Sequence, residues 1–383
     1  SAVWHSENGI AAHKKVVTAD DTLTADEAYH LACEGTAILW KGDFQNARQL
    51  LQALVRRIDR PSKKSKRAGK RVDKSDDSTP KKTAKDIFNQ HRLAQSQRAR
   101  ILGMLLIQCN PDHKISLRRA PDFSQACREA YGAVTQSYVV SLRELLGVVS
   151  AYEWRKNGLP ILADENGEPV FVHPHYGVFS PVRGEYIELV CNAPLPKALD
   201  VESTAFDIGV GTGVLSIILA MRDVQKIVAT DQDDRALQCA KENIALLGLA
   251  SQVEIMKANL FPIGKASLIV CNPPWVPARP SSTLEHAVYD PESQMLKGFL
   301  AGLKDHLLPQ GEGWLILSDL AEHLELRSRE ELLSWIEDAG LVVLDRIDTK
   351  PKHPKIFDES DSLHFARAAE ITSLWRLQIH QKH

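Results

Sequence analysis

Cysteine is scarce. The 383 residues hold six, at positions 33, 109, 127, 191, 239 and 271. None forms a Cys-x-x-Cys pair or a metal-ligand spacing, so neither a disulfide framework nor a metal site is expected. Reduced, mostly buried thiols and a cytoplasmic setting are expected instead. Long apolar runs are lacking too. The longest, Ile101 to Ile107 and Val214 to Met221, fall far short of the ~18 to 20 residues of a membrane span. The opening Ser1-Ala2-Val3-Trp4-His5 has no basic n-region and no apolar h-region, so it does not read as a secretory signal. Charge of one sign is also lacking: the net charge is −2, so no global field directs the chain to nucleic acid or membrane. What is present is ordinary for a globular protein, 44% hydrophobic and 25% charged residues. That excludes whole-chain disorder and collagen-like classes. The length predicts two or three domains of about 150 residues.

Charge is nevertheless uneven along the chain. Between Arg56 and Lys85 stand thirteen Lys or Arg against four Asp. Almost nothing in this tract is apolar, so it cannot offset its own ordering entropy. It reads as a basic insert at about 59–84, either a solvated linker or an arm at 60–85 for RNA, DNA or a ribosomal surface. Around it the pattern is helical. Thr24-Ala25-Asp26-Glu27 fits a capping box. Phe44, Ala47, Leu51, Leu54, Val55 and Ile58 share one helical face. Ala84 to Ile107 and Ser124 to Leu146 each read as one long helix. Residues 1–150 are therefore expected to form an all-helical domain with a basic insert. Residues 151–195 are expected to hold a linker, in which Pro160 to Ala163 and Pro169 to Val172 flank a turn carrying Asn166-Gly167.

From 196 to 383 strands and helices alternate, which predicts an α/β domain with a mostly parallel, Rossmann-like sheet. The expected strands include 205–208, 226–230, 253–257, 267–271, 313–318 and 341–347, with a last one in 370–380. The expected helices are 214–222, 233–247, 292–308 and 322–339.

Two motifs in this part carry chemistry. The first is Asp207-Ile208-Gly209-Val210-Gly211-Thr212-Gly213 at the end of a predicted strand. Its glycines let the backbone turn tightly, and the following helix offers free N–H groups to a ligand. Asp231 ends the next strand, where a carboxylate can accept both hydroxyls of a ribose. The spacing Gly-x-Gly-x-Gly differs from the dinucleotide pattern Gly-x-Gly-x-x-Gly. The second motif is Asn272-Pro273-Pro274-Trp275, directly after the apolar run Leu268 to Cys271. The Asn272 side-chain carbonyl and the Pro273 backbone carbonyl can both accept from a planar NH₂ group. Neither proline has an N–H to compete. Trp275 offers a flat apolar face on which an acceptor can stack.

Together these motifs resemble the class I S-adenosylmethionine-dependent N-methyltransferases. The likeness is closer to the HemK-like group, which modifies glutamine in release factors and a ribosomal protein, and to "small-domain" relatives that act on RNA. It covers roughly residues 150 to 383. It implies a seven-stranded sheet, S-adenosylmethionine as cofactor and a macromolecular acceptor linked to translation. The most direct expectation is a protein glutamine; the alternative is an exocyclic amine of adenine or guanine in RNA. The resemblance assigns Asp207, Gly209, Gly211, Gly213 and Asp231 to the cofactor, and Asn272, Pro273, Pro274 and Trp275 to catalysis as the acceptor clamp. Val178 to Tyr186 is similar to a cofactor-covering segment, which adds Arg183 and Glu185. Where the family usually has Gly-Asp-Leu, this chain has Ala258-Asn259-Leu260, so Asn259 is expected to accept the adenine amine without charge. No metal is implied.

Overall fold

The structure is a computed structural model that describes residues 2–59, 82–182, 184–280, 288–352 and 354–380. The chain divides into two units, Ser1–Tyr152 and Glu153–His383.

Short apolar runs between the helices give the first unit a sheet, which corrects the expectation of an all-helical domain. Its elements are β1 (Val3–Trp4), β2 (Val16–Ala19), α1 (Ala25–Cys33), β3 (Ala37–Trp40), α2 (Phe44–Ile58), α3 (Ala84–Leu102), β4 (Leu105–Cys109), α4 (Ser124–Tyr131), β5 (Tyr138–Ser141) and the larger part of α5 (Leu142–Asn157), whose last residues from Glu153 belong to the second unit. The strands lie in the order β1-β5-β4-β3-β2. Only the β4–β5 pair is antiparallel. The physical reason for the correction lies in two interruptions. The predicted helix from Ala84 stops at Gly103, whose N–H is taken by Ala99 O at 2.9 Å. The continuous run Leu105-Leu106-Ile107 then enters the core as β4, and such a run carries no periodicity that separates strand from helix. The predicted helix 124–146 is cut by Gly132, at φ +71°, and β5 follows with Tyr138 and Val140 buried. Helix α1 does carry the predicted capping box between Thr24 and Glu27. Of the basic insert, residues 60–81 lie outside the described residues, and Thr83 caps α3.

The second unit begins with the hairpin β6 (Leu159–Ala163) and β7 (Pro169–Val172). Its turn is not a two-residue Asn-Gly turn. Only Gly167 takes a positive φ, and the Asp164 carboxylate accepts from the amides of Asn166 and Glu168 at 2.8 and 2.9 Å.

Then follow α6 (Glu185–Asn192), β8 (Thr204–Ile208), α7 (Val214–Met221), β9 (Lys226–Asp231), α8 (Asp234–Leu246), β10 (Val253–Lys257), β11 (Ala266–Cys271), α9 (Gln294–His306), β12 (Leu307–Ser318), α10 (Leu320–His323), α11 (Arg329–Asp338), β13 (Leu341–Thr349), α12 (His364–Ala369) and β14 (Thr372–Ile379). The predicted helix 322–339 is thus two, α10 and α11, parted near Glu325 at φ +55°. The seven strands run β10-β9-β8-β11-β12-β14-β13. All are parallel except β14, which is antiparallel to both neighbours.

Every residue of β8 and of β11 is buried, as expected for a sheet covered on both faces. Apart from Ser216, helix α7 is apolar all round, and it is buried from Val214 to Ala220, which fits a helix enclosed by core. From β8 the chain builds outward one way to β9 and β10. It then crosses to β11 on the other side. The carboxyl ends of β8 and β11 therefore flank the point where the order reverses, where open α/β sheets bind ligands.

Candidate active site

Both predicted motifs fall at this reversal point. Gly209, Gly211 and Gly213 take φ of +80°, +52° and +88°, a region that L side chains with a Cβ avoid. A Cβ on Gly209 would also stand 2.7 Å from Met295 Cε. The loop is knitted to the neighbouring strand. The amides of Gly209 and Val210 both donate to Thr230 O at 2.9 Å. Thr230 Oγ1 in turn donates to Leu260 O, tying the loop after β10 to the same point. Asn243 of α8 donates to Thr212 O at 3.0 Å.

Asp207 is 1% exposed and works beneath the loop rather than in it. Its Oδ2 accepts from Ser216 N at 3.0 Å and from Ser216 Oγ at 2.6 Å. A carboxylate thus meets the positive end of α7 and pins that helix to β8. Burial pushes the Asp207 carboxyl up to about 6. The Ser216 hydrogen bonds oppose this shift, and the nearby Asp231 charge adds to it.

Asp231 stands where the ribose-binding acid was expected, at the end of β9. Its Oδ2 accepts from Gly211 N at 3.2 Å and its Oδ1 from Asp233 N at 3.0 Å. Burial raises its carboxyl above the ordinary range, against those backbone hydrogen bonds.

A cavity of about 280 Å³ opens over this loop. Gly209, Gly211, Asp231, Asn272, Pro274 and Trp275 all face it, so the two motifs, 40 residues or more apart in sequence, share one space. The residues present fit S-adenosylmethionine. A glycine cradle leaves room for close backbone approach, and a partly buried carboxylate stands at the ribose position. The carboxylates of Asp231 and Asp233 on the wall suit a cationic ligand.

Some expected residues stand elsewhere. Asp207 and Gly213 support the loop without lining the cavity, and Pro273 is buried behind it. Asn259 is exposed, and its Oδ1 is taken by Gln232 Nε2 at 2.9 Å, while its neighbours Ala258 and Leu260 line the cavity. Glu185 is buried, but in a second, narrower pocket. Arg183 lies outside the described residues.

Val178, Phe179 and Tyr186 of the expected covering segment line the cavity, whereas sequence reasoning missed Thr230, Met295 and Asp290. Asp290 has the clearest logic. Its two carboxylate oxygens accept from Met295 N and Leu296 N at 3.1 Å, capping α9. Its own amide donates to Val276 O at 2.9 Å, so the chain after Trp275 is clipped to that helix start. A lone Asp before a helical pattern was the only signal. Among the described residues, no group of three or more His, Cys, Asp or Glu is placed to hold a metal ion. No helix among them is long and apolar enough to cross a membrane.

Comparison with known proteins bears on this geometry. The family model of the methyltransferase small domain matches residues 170–328. A ribosomal protein L11 methyltransferase of Clostridium perfringens (strain SM101) is 29% identical over 140 residues, covering 32% of this chain and 44% of that protein. One from Clostridium botulinum (strain Eklund 17B) is 36% identical over 85 residues, covering 22% of this chain and 27% of that protein. The chain thus spans less than half the length of these curated relatives. Among solved structures, a ribosomal protein L11 methylase from Lactobacillus delbrueckii is similar at 18% identity and a TM-score of 0.33, over 51% of this chain and 75% of that one. A geranyl diphosphate C-methyltransferase from Streptomyces coelicolor is similar at 14% identity and a TM-score of 0.36, over 50% and 73%. The glycine loop, the acid and Asn-Pro-Pro-Trp that gather on one cavity all fall within residues 170–328, the stretch of the second unit that matches the methyltransferase small domain.

Proposed function

We propose that the whole chain is an N-methyltransferase acting on a planar amine or amide nitrogen of a translation-associated macromolecule. The observation that carries this is the position of Asn272 and Trp275 on the wall of the same cavity as Gly211 and Asp231. When bound, the cofactor supplies an electrophilic methyl group on a sulfonium. Asp231 would hold its ribose, and the backbone at Gly209 to Gly211 would lie against it. Asn272 Oδ1 would accept a hydrogen of the acceptor NH₂ and aim the nitrogen lone pair along the attack line, while Pro273, buried behind the cavity, would hold Asn272 in place. Trp275 covers one face of the planar group.

Holding reacting atoms near contact distance supplies several kcal/mol of the barrier, on the order of what oriented intramolecular reactions gain. The acceptor nitrogen needs no base before attack, because its proton leaves during or after transfer. A glutamine carboxamide and an exocyclic base amine both present a planar NH₂, so the clamp alone admits either. The L11 relatives act on a ribosomal protein, by name; the basic tract of thirteen Lys or Arg against four Asp favours RNA.

The test is tritium transfer from labelled S-adenosylmethionine into extract of cells lacking the protein, followed by RNase or protease digestion of the labelled fraction. Label released by one of the two treatments supports the proposal and names the class. A full chain that binds the cofactor yet labels no macromolecule contradicts it.

A further inference from the structure

One wall of the cofactor cavity lies outside the sheet. It belongs to residues 173–182, the strap that joins β7 to α6, of which Gly177, Val178 and Phe179 face the cavity. Helix α8 carries this strap on one face. His175 N donates to Cys239 Sγ at 3.4 Å, Arg235 Nη1 donates to Tyr176 O at 3.4 Å, and Val178 packs with Ala236 and Cys239. Those polar contacts are long. The short one stands at the root of the strap, where His173 N donates to Asn243 Oδ1 at 2.8 Å.

Asn243 is 1% exposed and stands behind the cavity wall. The other end of its amide holds a different wall: Nδ2 donates to Thr212 O at 3.0 Å, and Thr212, within the glycine loop, lines the cavity. The chemistry fixes this orientation. A backbone N–H only donates and a carbonyl only accepts, so the oxygen must face His173 and the NH₂ group must face Thr212. The position therefore demands a donor and an acceptor on one short side chain. An aspartate carboxylate would lack the donor, and an aliphatic side chain would lack both. Neither His173 nor Thr212 belongs to a helix or a strand. The amide thus joins two loops that meet across the cofactor space.

Resting on the reading of this cavity as the S-adenosylmethionine site, we infer that Asn243 is a positioning residue for the cofactor, coupling the strap to the glycine loop. The cofactor then meets two walls already set at one spacing, and not two loops that order separately around it. The entropy of ordering both loops is met when the chain folds and is not charged against binding. Asn243 acts without touching the ligand.

The test titrates the full chain with S-adenosylhomocysteine by calorimetry, in wild type, Asn243→Ala and Asn243→Leu. The leucine variant fills the space without making either bond. Both variants are expected to bind about 10-fold more weakly, because each leaves a buried amide and a buried carbonyl unpaired. Ile244→Val, at the next position of α8 and in the core, is the control for lost packing. It should lower the melting temperature and keep affinity within about two-fold of wild type.

A double-mutant cycle reads the coupling itself. Phe179→Ala, on the strap, should weaken binding about 10-fold in wild type and about 3-fold or less where residue 243 is already leucine. Amide hydrogen exchange gives an independent readout. Bound S-adenosylhomocysteine should slow exchange at 177–179 strongly in wild type and weakly in Asn243→Leu. Unchanged affinity in the Asn243 variants, an equal loss in Ile244→Val, a Phe179→Ala effect that is absent or the same in both backgrounds, or equal protection of the strap overturns the inference. Failure of wild type to bind S-adenosylhomocysteine removes instead the cofactor reading on which it rests.

Discussion

The same three residues, Cys-Asn-Pro, close a largely buried strand in both halves of the molecule. In the first unit they are Cys109-Asn110-Pro111, with Cys109 the last residue of β4, and in the second Cys271-Asn272-Pro273, with Cys271 the last residue of β11. In each unit that strand neighbours a parallel strand, β3 or β8. The outcomes differ. Asn110 closes on its own loop: its Nδ2 donates to Ser116 Oγ at 2.9 Å, and its amide donates to Lys114 O at 2.9 Å. The neighbouring strand end is likewise spent. Asp43, after β3, caps α2 through Gln45 N and accepts from Arg118 Nε and Arg119 Nε at 2.8 and 2.7 Å. Arg119, then burial against it, then Gln45 and Arg118 set its carboxyl, held down at about 2. Asn272 instead opens onto the cavity that Gly209 and Gly211 leave clear. A parallel sheet with Asn-Pro at a strand end is therefore not sufficient for this chemistry. Function lies in whether the groups at the strand ends are kept for a ligand or used up inside the protein.

Exchanging the two asparagines breaks the comparison most sharply. Asn272→Ala should leave S-adenosylmethionine affinity within a few-fold of wild type and cut the single-turnover transfer rate by roughly 10² or more, because lost orientation acts on the barrier. Asn272→Asp should retain more activity, since a carboxylate still accepts hydrogen bonds. Asn110→Ala should leave transfer unchanged and cost about 1 kcal/mol of stability for its lost hydrogen bond. Equal transfer rates in Asn272→Ala and wild type would reduce Asn-Pro-Pro-Trp to a structural corner.

The second contrast is between the acids. Asp231→Ala should weaken cofactor binding about 10- to 150-fold, the loss of a charge-assisted hydrogen bond of roughly 1.5 to 3 kcal/mol. Calorimetry showing unchanged affinity would sink the ribose assignment. Trp275→Ala should weaken acceptor binding by a similar or smaller factor, as removal of a stacking face costs roughly 1 to 3 kcal/mol for a base. Trp275→Phe should restore part of it. The readout is acceptor concentration dependence of transfer at saturating cofactor.

The last effect expected is on stability. Asp207 is raised from the ordinary 3.8 to about 6, chiefly by burial. Its contribution therefore favours the folded state fully below pH 3.8 and is lost as pH rises through about 6. Wild type should lose on the order of 1 to 3 kcal/mol between pH 4 and 7 from this group. Asp207→Asn, which still accepts from Ser216, should lack that loss. Denaturant melts at both pH values decide it, and parallel pH profiles would contradict the burial argument.

How much was legible follows the same contrast. In the second unit the alternation of strands and helices, the glycine loop and Asn272 to Trp275 were all readable, because strands of five or six buried residues and turn glycines leave strong local signals. In the first unit the sheet was not. Its strands are two to five residues long, and β4 and β5 adjoin helices whose periodicity runs up to them. One glycine at each junction, Gly103 and Gly132, was the only punctuation. The site was readable at the level of motifs but not of roles. Sequence spacing showed neither that Asp207 works under the loop through Ser216, nor that Asn259 turns out to Gln232. Nor did it show that Glu185 is buried in the narrower pocket, beside Ile316, Ser318 and Thr372 from far along the chain.

The claim that one sheet is furnished for a ligand and the other is not has a direct test in binding stoichiometry. Calorimetric titration of the full chain with S-adenosylmethionine should give one site per chain. That site should be weakened by Asp231→Ala and untouched by Asn110→Ala, with no binding of NAD. Two sites per chain, a site that survives Asp231→Ala at full affinity, or tight NAD binding would contradict the account.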